Sequence, residues 1–315
     1  MDTSLLSAPS NGIHALAQIQ RQTRRLAALH RQVLADADPE ALHQFRVSLR
    51  RLRTALRQFA PALELPEGVS SGRIAALARR TGLTRDLDVL QERLERTILP
   101  RLAPEERQAL RPALKRLRRE RQLAFEAVTE ALGSSRYLKL LARLGRWQQQ
   151  PSFTALGQQP LADWLHDWHL PLSGALFLHP GWMATSPEEE ALHALRKRIK
   201  GVRYALEHLA DALEAPGHGW IAVLKQAQSC LGDLHDLQVL EASLLDPPRH
   251  RAGAGGGLEG LRAELERQRR EGWGQWRQLA ALLLLPESRR ALPALKPLPF
   301  QPDAAGAARA AGAGL

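Results

Sequence analysis

Two stretches of this 315-residue chain carry a histidine followed by a ladder of basic side chains. In the first, His43, Arg46, Arg50, Arg53 and Arg57 follow one another at spacings of 3, 4, 3 and 4. In the second, His193, Arg196, Lys200 and Arg203 repeat the pattern, and Glu207 stands where a fifth cation would be. A helix turns about 100° per residue, so each ladder lines one helical face. Like charges stacked at these spacings repel by a few tenths of a kcal/mol per pair. Each ladder therefore weakens its own helix unless an anion lies against it. Arginine's planar fork can contact two phosphoryl oxygens at once. A histidine at the N-terminal end adds a donor near the positive end of the helix dipole, which itself favours anions. The chemistry implied is recognition of a polyanion.

The ladders belong to a larger repeat. Ala41-Leu42-His43-Gln44-Phe45-Arg46 recurs as Ala191-Leu192-His193-Ala194-Leu195-Arg196, and the segment from Gly82 to Leu90 recurs from Gly232 to Leu240, both at an offset of 150 positions. Two distant elements sharing one offset indicate a duplicated module. Arg85-Asp86 and His235-Asp236 occupy matching places in the second element. The aspartates could hold ladder cations in place, but pairing with an arginine on a neighbouring helix is the preferred reading. Asp88 aligns with Gln238, which argues against a symmetric carboxylate metal site. Gly82 and Gly232 each cost about 1 kcal/mol relative to alanine inside a helix, and a close helix crossing would explain them. Lys225, two turns before Gly232, extends the basic surface; its counterpart is Ala75, and Arg79 would compensate. Arg51, Lys197 and Arg198 lie off the ladders and read as ordinary surface charge.

The elements that must position these residues are helices throughout. Apolar residues recur at three- and four-residue spacing, with no convincing alternating strand. The spacing predicts helices over 14–36, 39–59, 71–97, 104–132 and 134–149 in the first half. It predicts 160–169, 187–213, 219–245 and 258–285 in the second, with a short turn at 286–292. Asp38-Pro39-Glu40 and Ser186-Pro187-Glu188 read as N-caps with proline in the first turn. Beside the basic ladders run apolar stripes, Leu42, Phe45, Leu49, Leu52 and Leu56, then Leu192, Leu195, Ile199, Val202 and Leu206. Breaks are expected at 61–68, 150–160 and 247–257. The fold class is all-α, with two tandem four-helix bundles related by a pseudo-two-fold. One domain spans 12–285, divided into repeats at 12–150 and 160–285, and 293–315 reads as a disordered tail.

Composition bounds the rest. The chain is 44% hydrophobic, ordinary for a globular protein, and rich in Leu, Ala and Arg, which favours helix. A formal charge of +11 implies an anionic partner, and nucleic acid, acidic lipid and polyphosphate satisfy it equally. Cys230 is the only cysteine, so no intrachain disulfide can form. Met1 to Ile13 lack the basic start and apolar core of a signal peptide, and no run approaches the roughly 20 apolar residues of a membrane span. A cytoplasmic protein is expected.

These residues resemble the CHAD family, the conserved histidine α-helical domain. The likeness rests on Leu42-His43-x-x-Arg46-x-x-x-Arg50-Arg51-Leu52-Arg53 and its echo from Leu192 to Arg203, with Arg85–Leu90 and Leu231–Leu237 adding to it. It covers residues 12 to 285. The resemblance implies a basic groove or cavity between two bundles, inorganic polyphosphate as the partner, and association with polyphosphate granules. Carried over by position, the contacts would come from His43, Arg46, Arg50, Arg53, Arg57, Arg79, Arg85, His193, Arg196, Lys200, Arg203, Lys225 and His235. CHAD domains often follow a CYTH triphosphatase domain, whose alternating glutamates and basic residues are absent here, so a stand-alone CHAD protein is expected.

Non-catalytic polyphosphate binding leads the functional readings, with no cofactor and no metal. A phosphate-metabolism enzyme or a metal-binding protein using His43 and His193 is the second. Against it stand the absence of a Gly-rich nucleotide loop, of an acidic cluster for Mg²⁺, and of an HExxH-type pair. His166 and His169 sit beside Trp164 and Trp168 in what reads as a packed surface helix. A nonspecific nucleic-acid binder is the third, disfavoured because no recognition motif appears and stacking aromatics are few. Trp273 and Trp276 are expected in the core.

Overall fold

Capping side chains begin several of the helices. The computed structural model describes residues 9–245 and 258–296. Helix α1 (Asn11–Ala35) starts at Ser10, whose hydroxyl accepts from the Ile13 N–H. Helix α2 (Pro39–Gln58) starts at Asp38 as predicted, the carboxylate accepting from the Glu40 N–H. The single helix expected over 71–97 is broken: α3 (Ser71–Arg80) stops at Thr81, α4 (Gly82–Arg93) follows at once, and a π-helical turn covers Leu94–Ile98. Then come α5 (Pro104–Gly133), α6 (Ser135–Gln149), the single turn α7 (Ala155–Gln158) and α8 (Leu161–Phe177). The second half continues with α9 (Glu190–Leu209), α10 (Ala215–Leu245), α11 (Glu259–Leu284) and α12 (Pro286–Ala291).

Three expectations need correction. Ser186 does not cap α9; the Glu189 carboxylate accepts from the Thr185 and Ser186 N–H groups at 2.6 and 3.0 Å, so the chain turns there and the helix begins at Glu190. Helix α8 continues past His169 through Pro171, and His169 is fully buried rather than on a surface. A two-residue antiparallel pair joins Leu63–Glu64 to Ser152–Phe153, too short for any alternation to show. The break expected at 247–257 lies outside the described residues, as does the tail from 297 on. Residues 293–296, at the start of the predicted tail, are packed: Leu295 is buried, His169 Nε2 lies 3.3 Å from the Pro293 carbonyl, and the Glu214 N–H donates to the Lys296 carbonyl at 3.2 Å.

The two predicted apolar stripes bury completely, with every member at 3% exposure or less. They share one core, to which α1, α6, α8, α10 and α11 also contribute, including Trp276 stacked on Trp182 at 5.6 Å between ring centres. A second core gathers Leu87, Leu90 and Leu94 with Leu237, Leu240 and Leu244, closed by leucines of α5 and α11. The all-α class holds, and each of the two cores draws residues from both halves of the chain. The leucines of α4 and their equivalents on α10 bury against a common interior.

Equivalent residues meet where α2 and α9 pack. Arg51 pairs with Glu207 at 2.9 Å, and an Arg57 guanidinium nitrogen lies 4.0 Å from where a Cβ on Gly201 would stand. Shifting each residue by the repeat offset converts the first contact into the second. Gln58 and His208, themselves equivalent, touch through Oε1 and Nδ1 at 3.2 Å. A contact that exchanges with itself in this way is what two-fold pairing produces.

At the other end of α2, Arg121 of α5 clamps two carboxylates. It binds Asp36, in the left-handed turn after α1, and Asp88 of α4 at 2.8 Å. Asp88 is thus a structural partner, and burial raises its carboxyl pKa while Arg121 opposes that shift. Arg121→Met leaves both carboxylates uncompensated and is expected to cost about 2–3 kcal/mol, below a fully buried pair because Asp36 keeps solvent contact. A urea melt within about 0.5 kcal/mol of the parent would remove this role from Arg121.

Candidate anion-binding site

The packing of α2 on α9 brings the two ladders into one cationic cluster. Arg50 is central: its charge bears on His43 and Arg46 of its own helix and on Arg196 and Lys200 of α9. Arg85 of α4 acts on His43 and Arg46. On the α10 side, His235 lies against His193 with ring centres 4.6 Å apart, and both feel Arg196 and Lys200. Asp86 and Asp236 sit among these cations, acting on Arg196 from both halves, yet neither makes an ion pair among the described residues. The neighbouring-helix pairing expected of them is therefore corrected.

The cluster opens into a cavity of 780 Å³ between α2, α8 and α9. Arg50, Arg53 and Arg57 line it from α2, and Lys197, Arg198 and Lys200 from α9. His179 joins them, Asp167 is the one acidic lining residue among the described residues, and Trp168, Pro171 and Leu172 form an apolar wall. Sequence reasoning assigned Lys197 and Arg198 to the surface and passed over His179. No local pattern marked them, because their place in the cavity depends on which helices pack against α9.

Other expected contacts fall elsewhere. Arg203 is 7% exposed, donates to Gln228 at 3.0 Å and to Glu207, and lies over the Tyr204 ring, so its charge is consumed inside the protein. Arg46 donates to the Ala78 carbonyl at 2.7 Å and to Thr81 Oγ1 at 2.9 Å, fixing the break between α3 and α4. Gly82 begins α4 beside that guanidinium, and a Cβ on Gly232 would meet nothing within 4 Å; the predicted close helix crossing exists at neither. Arg79 lines a different cavity, with Arg73 and Arg80. Lys225 is exposed on α10 and lines neither space. Arg51, expected to be free surface charge, pairs with Glu207 across the halves.

Cations so gathered shift one another's protonation. Burial, then Arg50 and Arg196, push Lys200 down to about 7. Burial, Arg196 and His193 push His235 down to about 4. Burial lowers Arg46 to about 10, with Arg50 adding to it, and lowers His43, His193, Arg57 and Arg196 as well. Among the described residues no three His, Cys, Asp or Glu side chains gather as metal ligands would. The arrangement suits an anion that supplies many oxygens and replaces the missing counter-charge.

The family model described as the CHAD domain matches residues 17–245. The chain belongs to the CHAD-domain family. Uncharacterized proteins from two strains of Mycobacterium tuberculosis are 30% identical over 243 residues, covering 75% of this chain and 45% of theirs. The chain thus spans less than half the length of these curated relatives. The crystal structure of the CHAD domain from the plant Ricinus communis superposes with a TM-score of 0.63 at 25% identity, over 95% of this chain and 97% of that one. PptA from Streptomyces chartreusis shares the fold, with a TM-score of 0.64 at 20% identity over 87% of this chain and all of that one. Among the described residues no helix is long and apolar enough to cross a membrane.

In this CHAD domain Lys200 offers a direct check on the cluster. Its folded pKa of about 7 lies below the ordinary 10.5, so between those values the unfolded chain holds a proton the folded chain lacks. Stability then rises with pH across that window, and the full penalty is present below it. Lys200→Met is expected to raise the melting temperature of ligand-free protein near pH 6, with the gain fading toward pH 10. A variant less stable than the parent at pH 6 would show that Lys200 is not under cationic strain.

Proposed function

We propose that this protein binds inorganic polyphosphate without catalysing its turnover, and that this binding could bring it to polyphosphate granules. The observation that carries the reading is the convergence of Arg50, Arg53 and Arg57 with Lys197, Arg198 and Lys200 on one cavity that has a single acidic lining residue. A polyphosphate chain carries about one negative charge per residue at close repeat. It can therefore touch ladder cations of both halves while its counter-ions are released, which makes affinity fall steeply with salt. Membership of the CHAD family supports the same ligand, since the motif match implies it. The His43 and His193 imidazoles serve as donors at the ladder starts, with no nucleophilic or metal role.

Arg50→Gln with Arg53→Gln should weaken long-chain binding roughly tenfold or more and reduce the slope of log affinity against log salt by about 1–2. These residues make no ion pair among the described residues, so the melting temperature should hold or rise. Unchanged affinity in a salt-controlled titration would sink the assignment. Equal competition by duplex DNA at equal phosphate concentration would replace polyphosphate specificity with general polyanion binding. Phosphate release from polyphosphate by pure protein with added divalent metal would overturn the non-catalytic reading.

Binding should also take up protons. A bound anion favours the charged forms of Lys200, His43 and His193, raising pKa values that the empty cluster holds down. Calorimetry near pH 7.5 in two buffers of different ionisation enthalpy is expected to show net proton uptake, with affinity declining as pH rises from about 6 to about 8. Proton-neutral binding would place the anion away from these groups.

A further inference from the structure

A cavity of 1060 Å³ between α3, α5 and α6 lies apart from the basic cluster. Arg73, Arg79 and Arg80 stand on its wall from α3, and Arg136 from α6. Arg80 is neutralised by Glu130 at 2.5 Å, whereas Arg73, Arg79 and Arg136 make no ion pair among the described residues. The first turns of both helices open on the same space, through Ser70 and Gly72 at α3 and through Ser134 and Ser135 at α6. Two helix dipoles thus add their positive ends to three uncompensated guanidinium groups.

The rest of the lining is apolar. Leu77, Ala131 and Leu140 are all buried and form the floor. Tyr137 stands among them at 3% exposure, its ring stacked on His30 at 5.8 Å. Its hydroxyl is buried with no hydrogen-bond partner, an arrangement native proteins seldom leave without a reason. Burial pushes the phenol up to about 12, so it remains a protonated donor at neutral pH.

We propose that this cavity is a second anion site and that it takes an organic phosphate. The phosphoryl group would lie against Arg73, Arg136 and the two helix starts, with a flat apolar body over Leu77, Ala131 and Leu140. Inorganic polyphosphate has nothing to place on that floor. The site is independent of the central ladders, so either proposal can fail without the other.

Titration calorimetry of the full chain with ADP, adenosine and inorganic diphosphate, without divalent metal, separates the contributions. ADP is expected to bind roughly tenfold or more tightly than either fragment, because only ADP fills both parts of the cavity. Arg73→Gln with Arg136→Gln should cost ADP about tenfold or more and leave long-chain polyphosphate affinity within about twofold. Arg50→Gln with Arg53→Gln should do the reverse. No ADP binding at millimolar concentration, diphosphate binding as tight as ADP, or ADP binding lost in the Arg50 and Arg53 variant would each overturn the site.

Discussion

The contact of α2 with α9 is the constraint on which the rest depends. The two helices descend from one duplicated sequence, so equivalent positions face each other and like charges must meet. The crossing survives because the sequence breaks its own symmetry there. Glu207 replaces the cation that Arg57 supplies in the first copy, and it accepts from both Arg51 and Arg203. A second arginine at that position would face Arg51 with no counter-charge. Gly201, in the place of Arg51, lies beside Arg57 and adds no second cation there. Just beyond, His208 takes the place of Gln58, and the two bond to each other; burial holds that imidazole neutral by pushing its pKa down to about 3.

With one end of the contact neutralised, the strain is left at the other. Among the described residues the cations around Arg50 and Lys200 make no ion pair, and burial discourages Arg46, Arg196 and Lys200 from holding their charge. Two apolar cores drawn from both halves provide the rigidity that keeps them together. Stability is sacrificed locally to hold like charges together, which is the usual relation between a preorganised site and the scaffold around it.

Much of this was legible in the sequence, for a definable reason. A helix fixes which residues share a face, so the phase of Leu42, Phe45 and Leu49 settled the buried stripe and the phase of His43, Arg46 and Arg50 settled the basic one. What one helix cannot encode is its neighbour. Arg203 keeps perfect ladder phase, yet Gln228 and Glu207 consume its charge. Lys197 and Arg198 are out of phase, yet the packing turns them into the cavity. The single helix expected over 71–97 breaks at Thr81, where Arg46 from α2 supplies hydrogen bonds that no local pattern records. The offset between the halves was plain in the residues, but the sharing of one core by the leucines of α4 and α10 was not, because each stripe taken alone shows only that its helix has a buried face.

The asymmetry between the copies then has a physical direction. The first ladder keeps Arg50, Arg53 and Arg57 free of ion pairs, while the second loses Arg203 to internal bonds and recovers charge through Lys197 and Arg198 on its flanks. The cations that face the cavity therefore come from the ladder itself on α2, but from the ladder's flank as well as its phase on α9. The apolar lining comes from α8, a helix outside the repeated motif, so the duplication supplies both rows of charge and an unrepeated element supplies the wall.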